Sequence, residues 1–286
     1  MHLSKRAPIP SLYFLTGELP IVGTLHRYVF SLFFNVWCNQ STKIFEIVSY
    51  LLENCPENSH TWCRHIRNLA ETYNITDPLA LIGTQPMKKE ECKNYICTMV
   101  TVYHEKKLRT ASIKNSKMKY LNVNIKGLNG RPHPALDNIL SSDQVRKMRA
   151  HVKMLCMDLY TYETRALFQG GSPNCKLCEP PNPPLLNVES ICHIIAHCSA
   201  YEDLRARILL QMDIILRGTD NNIDFKLIVA DKEALTQFIL DCTSLNLPVR
   251  VSPSDEVCPR VFQLSRDFCF SIYKRRLSLL RSYLTQ

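Results

Sequence analysis

Apolar residues recur at intervals of three and four over much of this chain, the spacing that lines one face of an α-helix. Trp62, Ile66, Leu69 and Tyr73 form one such stripe, and Cys92, Ile96, Met99 and Tyr103 form another. Pro56, Pro78 and Pro86 punctuate these segments. Ser41 and Ser59 are candidate N-caps, because a hydroxyl can accept from an unpaired first-turn amide. The longest pattern joins Val145, Met148, Val152, Leu155, Leu159, Tyr162 and Ala166 and predicts one helix over about 143–167. Ser141 and Gln144 stand three apart at its start, as a capping box requires, and Gly170-Gly171 ends it. Tyr201, Leu204, Ile208, Met212 and Ile215 predict a helix after Cys198, with a short one at about 235–242 and a last one at about 261–283. Few segments alternate with the period of two that a half-buried strand needs, so the expected fold is mostly α.

Between the long pattern and the helix after Cys198 lies Cys-Lys-Leu-Cys, then Glu-Pro-Pro-Asn-Pro-Pro, then Cys-His-Ile-Ile-Ala-His-Cys. A CxxC turn can present two sulfurs to one Zn²⁺, and a second half-site completes the tetrahedron. The preferred ligand set is Cys175, Cys178, His193 and Cys198. His197 in place of Cys198 gives the CxxC…HxxxH spacing of the DNA-reading finger, and Cys192 can stand in for His193. That finger needs a β-hairpin after its cysteines. The prolines of the connector lack the amide donors for one. Four protein ligands leave no place for substrate or activated water, so the expected zinc is structural and the chain is not expected to be an enzyme. A second group, Cys55, His60, Cys63 and His65, shares a segment with the Trp62 and Ile66 core face and reads as packed thiols with exposed imidazoles.

Charge changes the picture more than composition does. The chain of 286 residues is 45% hydrophobic, ample for a core, and its 8 glycines include neither a GxGxxG nor a GxxxxGK[ST] motif. Its 13 cysteines are odd in number and scattered, and the N-terminus has no uninterrupted apolar stretch like that of a signal peptide. The longest apolar run, around residues 28–38, is too short to span a bilayer. A reducing compartment, nucleus or cytoplasm, and no membrane association are expected. The formal net charge is +9. From His104 to Arg131 eight Lys or Arg, including Lys106, Lys107, Lys117, Lys119 and Lys126, face the single acid Glu105, with Tyr103 and Tyr120 alongside. Arg146, Arg149 and Lys153 share a narrow arc of the long helix. Basic, aromatic-flecked segments suit phosphates and unstacked bases, so RNA or single-stranded DNA is the expected partner, with no small-molecule substrate.

The run Cys-Lys-Leu-Cys … Glu-Ser-Ile-Cys-His-Ile-Ile-Ala-His-Cys-Ser-Ala-Tyr-Glu-Asp-Leu-Arg resembles the zinc-binding segment that follows the reverse-transcriptase domain in non-LTR retrotransposon polyproteins. Glu189, His193, Cys198 and Arg205 occupy the places of that family's Glu-x-x-x-His-x-x-x-x-Cys and its following helix. Residues 152–166 resemble the helix before the first cysteine, and weaker likenesses run from Thr16-Gly-Glu-Leu-Pro-Ile through Lys119-Tyr-Leu-Asn to Ser265-Arg-Asp-Phe-Cys. The resemblance implies a helical region over 1–135, a zinc module over 136–217 and a helical C-terminal tail over 218–286. The fold expected is thus a helical bundle with a small zinc-stabilised loop-helix module.

Three departures limit what the resemblance carries. There is no Tyr-x-Asp-Asp, so the metal-binding carboxylates of the polymerase are absent; no endonuclease-like region precedes; and Ser199 stands where the family usually has Pro. The resemblance then implies a non-catalytic, zinc-stabilised nucleic-acid-binding module, a remnant of such a polyprotein. A zinc-stabilised protein-interaction module, or a relic with no cellular role, is the alternative. Arg276 and Arg281 of the last helix are expected to lie away from the metal site.

Overall fold

A computed structural model of the chain describes residues 7–54, 56, 61–75, 88–124, 128, 130–178, 187–218, 225–243 and 257–284. Pro78, Pro86, Ser59, Cys55, His60, Lys126 and the proline connector lie outside the described residues. The fold is mostly helical, as the periodicity predicts, with no strand among the described residues beyond one isolated bridge. The chain divides into two compact units, one of Gly17–Ala111 and Gly127–Arg131, the other of Met1–Thr16, Ser112–Lys126 and Pro132–Gln286.

The first unit holds α2 (Ile21–Trp37), α3 (Lys43–Glu53), α4 (Trp62–Thr72) and most of α5 (Lys89–Ile113). Phe30, Phe33, Phe34 and Trp37 of α2 pack on Val48 and Leu52 of α3, on the predicted stripe of α4, and on Cys92, Ile96 and Val100 of α5. On the side of α2 opposite this core, Ile21, Leu25, Tyr28 and Leu32 are exposed. Thr42 rather than Ser41 caps α3: it is the last extended residue, and its hydroxyl accepts from the amide three positions on. Thr61 caps α4 in the same way. That helix ends in a left-handed turn at Asn74 (φ 53°), where the Ile75 amide reaches back to the Ala70 carbonyl. The Tyr73 hydroxyl lies 2.6 Å from His26 Nδ1 and 3.0 Å from His104 Nε2, so it donates to one imidazole and accepts from the other. Gly23 makes room for this bridge, because a Cβ there would stand 2.7 Å from the His104 ring.

The other unit contains α1 (Ile9–Thr16), the 3₁₀ turns Ser116–Met118 and Pro134–Leu136, and six further helices. These are α6 (Ser142–Leu155), α7 (Tyr162–Gln169), α8 (Glu202–Arg217), α9 (Phe225–Ala230), α10 (Lys232–Leu240) and α11 (Val257–Leu284). Its spine is α11, which packs on α6, α8 and α10. The predicted capping box at Ser141 and Gln144 is present. The single helix expected over 143–167 is not: it breaks into α6 and α7. Met157 is left-handed (φ 48°), the Asp158 amide bonds the Lys153 carbonyl, and Met157 bonds Met154. This Schellman turn satisfies the last carbonyls of α6 at a non-glycine position, and Thr161 then caps α7. The apolar pattern ran through the break because Leu159 and Thr161 stay buried in the corner itself.

The segments 136–217 and 218–286 are not separate bodies either. The partner that buries α6 and α8 is α11, far along the chain, and the three helices share one core. Within it, Asp241 is fully buried and accepts from the Asn122 amide at 2.7 Å and from both the amide and hydroxyl of Thr243. His133 Nε2 stands 3.2 Å from Oδ2, the oxygen that also accepts from Asn122, off the line of a straight hydrogen bond. Burial would raise this carboxyl, but His133 and the donors outweigh it and hold the group below its ordinary value.

His151 on α6 is also fully buried, and neither ring nitrogen has a well-aligned partner. Burial first, then the charge of Arg266, lowers it to about 4, so the folded state keeps it neutral. The unfolded chain takes up the proton near pH 6.5, so stability present at pH 7 is lost as the pH falls from 6.5 toward 4. The loss is roughly 1.4 kcal/mol per pH unit at most. Urea midpoints measured across this window should fall more steeply for the wild type than for His151→Leu; equal slopes would remove His151 as the cause.

Candidate metal centre

The two half-sites meet because the chain on either side of the connector pairs across it. Asn174 and Val188 form an antiparallel bridge; the Cys175 amide donates to the Asn187 carbonyl at 2.7 Å and the Glu189 amide to the Pro173 carbonyl at 2.9 Å. Among the described residues this is a single bridge, and the prolines of the connector lie outside them. The Ser190 hydroxyl then accepts from the His193 amide at 3.1 Å and starts a helical turn. That turn widens to a π-helix over His193–His197, closed by the Cys198 amide on the His193 carbonyl at 2.7 Å. One added residue per turn puts His193 and Cys198, five apart, on the same side, and turns His197 out to solvent.

Cys175, Cys178, His193 and Cys198 come together with their donor atoms all within 4.8 Å of one another, so the four can hold a metal ion. Cys175 Sγ and Cys198 Sγ are 3.9 Å apart, and Cys178 Sγ is 3.4 Å from His193 Nε2. A tetrahedral ion with bonds of ~2.3 Å to sulfur and ~2.0 Å to nitrogen sets those edges at about 3.8 and 3.5 Å. The competing ligands are placed elsewhere. Cys192 is buried with its thiol toward the Lys232 carbonyl, and His197 stacks beside His193 at 6.4 Å without joining the cluster. A hydrogen bond from Cys198 holds the Cys175 thiol well below its usual range and pushes Cys198 up, while burial first and the Cys175 charge next push Cys178 up to about 11. An ion entering this set displaces the protons that remain, so its affinity falls with acid.

Two arginines hold the loop. Arg205 of α8 is buried, its Nε donating to the Ile195 carbonyl at 2.9 Å and its Nη2 to the Cys198 carbonyl at 2.6 Å. It thereby fixes the π-turn and the backbone of the last ligand, and brings a positive charge to the edge of the thiolate cluster. Arg276 of α11 grips the Glu189 carboxylate from two sides, at 3.2 and 2.8 Å, and the same carboxylate accepts the Tyr162 amide at 2.7 Å. Arg276 is therefore not remote from the metal site, as its place in the sequence suggested. It is anchored four residues before His193, while its neighbour Arg275 pairs with Asp203.

The cations proposed to meet phosphate fall in both units. Lys106 and Lys107 lie exposed on α5, in the unit of Gly17–Ala111; Lys117 and Lys119 belong to the other. Lys119 pairs with Glu233 at 2.8 Å. Tyr120, taken from its position as a base-stacking ring, is buried and donates to the same carboxylate. Arg146 is exposed on α6, Arg149 half-buried with its Nε lacking an acceptor, and Lys153 lies 6.0 Å over the Tyr273 ring of α11. Cys63 is buried and His65 exposed, while Cys55 and His60 of the same group lie outside the described residues. The π-turn and the role of Asn187, whose amide oxygen accepts from the Cys178 thiol at 3.3 Å, went unpredicted, since neither has a spacing signature. No protein-family model, curated protein or solved structure matches the chain.

His193→Ala is expected to abolish binding of one metal ion per chain while His197→Ala retains it, as read by elemental analysis of the purified proteins. The reverse order would restore the finger-like ligand set. Arg276→Leu leaves Glu189 as a buried carboxylate without its counter-ion and should cost about 3–5 kcal/mol in urea unfolding. Loss of a few tenths would mean that the pair is not closed in solution.

Proposed function

We propose that the chain is a non-catalytic nucleic-acid-binding module whose fold is stabilised by a structural Zn²⁺ on Cys175, Cys178, His193 and Cys198. Three sulfurs and one imidazole at tetrahedral separations favour zinc over harder cations, which prefer oxygen. With all four positions taken by protein, the ion's contribution is to order the loop rather than to activate water. The likeness of this loop to the zinc segment of non-LTR retrotransposon polyproteins supports the same reading, and a reducing compartment, nucleus or cytoplasm, suits three zinc-bound thiolates.

The observation that carries the nucleic-acid part is the way α11 links the metal loop to the cationic side of α6. Tyr273 lies under Lys153, and Arg276, one turn on, holds Glu189. Arg146, Arg149 and Lys153 are therefore offered from a helix braced against the metal centre, where a phosphate backbone would find fixed charge rather than mobile side chains. RNA or single-stranded DNA is the partner, bound with little base preference. The exposed stripe of Ile21, Leu25, Tyr28 and Leu32 on α2 favours a second reading, a protein-interaction module.

The salt dependence of binding separates the two. Arg146→Ala and Lys153→Ala should each weaken every single-stranded sequence alike and reduce the slope of log K against log salt by about one. Arg217→Ala on α8, where Asp213 already neutralises the guanidinium, should leave the slope unchanged. Equal losses from all three, or binding indifferent to salt, would give the lead to the interaction module.

A further inference from the structure

Arg27 is a half-buried cation with no carboxylate partner among the described residues. It projects from α2, and its Nη2 donates to the Cys97 carbonyl at 3.0 Å and to the Thr101 hydroxyl, both on α5. Its Nε is buried and donates to nothing described. A guanidinium in this position has given up water and received only neutral dipoles in exchange, an arrangement that an anion from outside would complete.

Two cavities of this unit adjoin at Arg27. One, of about 290 Å³, opens between α2 and α5 and is lined by Tyr28, Phe34, Ile96, Lys89 and Lys93 with Arg27 itself. Among the described residues no acidic one lines it. The other, of about 600 Å³, shares Thr24, Arg27 and Cys97, presents the amide and hydroxyls of Asn94, Thr98 and Thr101, and has Glu18 in its lining, so the anion is placed in the first. Lys89 and Lys93 stand one turn apart on α5, and neither forms an ion pair among the described residues. Tyr28 is 68% exposed and offers a free ring face at the mouth.

We infer that this cavity binds a nucleotide, its phosphate held by Arg27, Lys89 and Lys93 and its base packed against Tyr28 and the apolar wall of Phe34 and Ile96. Three cations suit a dianionic phosphate better than one carboxylate. A volume at the small end of ligand pockets suits a compact ring rather than a long alkyl chain, and an exposed aromatic face is what an unstacked base uses. The nucleotide can be a free monophosphate or one residue of a single strand; both present the same groups. The site is separate from the α6 stripe and goes beyond the function proposed above, since a free nucleotide would satisfy it.

Calorimetric titration of the full chain tests this with adenosine monophosphate, inorganic phosphate and octanoate as probes. Adenosine monophosphate should bind once per chain and at least about tenfold tighter than phosphate or octanoate, the margin that a stacked base supplies. Tyr28→Ala and the double variant Lys89→Ala/Lys93→Ala, all at exposed positions, should keep the wild-type unfolding midpoint and weaken adenosine monophosphate at least about fivefold. Arg146→Ala should leave it unchanged. Phosphate binding as well as the nucleotide would overturn the base subsite, octanoate binding as well would overturn the ligand class, and pocket variants binding like the wild type would overturn the location. A short oligonucleotide that competes with adenosine monophosphate, and loses affinity in the pocket variants, identifies a strand as the source. An oligonucleotide that does not compete identifies the free nucleotide. Loss of strand binding in the α6 variants alone leaves the stripe standing without the pocket, and nucleotide binding without any strand binding leaves the pocket standing without the stripe.

Discussion

The Glu189 carboxylate is the joint on which the unit carrying Cys175, Cys178, His193 and Cys198 turns. It is wholly buried in the loop that leads to His193, and two elements distant in sequence close on it: the first amide of α7 and Arg276 of α11. Taking two charges out of water costs several kcal/mol per ion, so the pair is a poor source of net stability. Its effect is on what else the chain can do. Any arrangement that draws α11 away from the loop leaves a bare carboxylate in the interior, and such arrangements are removed from competition. The first amide of α7 adds a donor at the positive end of a helix, the favourable place for a carboxylate.

This joint explains why the metal ligands keep their geometry through side chains that never touch the ion. Glu189 fixes one end of the loop and Arg205 the other, through the carbonyls of Ile195 and Cys198. Between them the backbone takes the wide turn that sets His193 beside Cys178. Neither arginine is among the four candidate ligands, yet Arg205 replaces the water that the last carbonyls of a short π-turn would otherwise need, and Arg276 answers the buried charge of Glu189. The two arginines therefore hold from outside, by hydrogen bonding, a loop whose four inner side chains can hold a metal ion.

What the sequence made legible was local. The helical stripes of α4, α5 and α8, the capping box of α6 and the ligand set at CxxC and His-x-x-x-x-Cys were readable because each depends on residues a few positions apart. The break between α6 and α7 was not. A left-handed residue at Met157 has no glycine or asparagine to announce it, and the apolar pattern continues across the corner. Nor was the union of 136–217 with the last helix. It rests on Arg276 meeting Glu189 across 87 positions, a pairing that no window of sequence contains.

Charge was read least well, and for the same reason. A run of lysines and arginines looks like a phosphate surface until the acids that fold onto it are known. Lys119 meets Glu233 from 114 positions away, Arg275 meets Asp203, and Lys147 meets Asp267 as well as the nearby Asp143. These cations have their counter-ions. Arg27, unremarkable in the sequence, and Arg149, read there as part of a basic arc, each keep a buried Nε without an acceptor. Desolvation makes the difference. An exposed lysine loses little by remaining unpaired, whereas a half-buried guanidinium with an unused donor gains in full from the first anion that reaches it. The net charge of +9 therefore does not measure attraction evenly along the chain. The guanidinium donors that folding has buried without an acceptor are visible only in the folded structure.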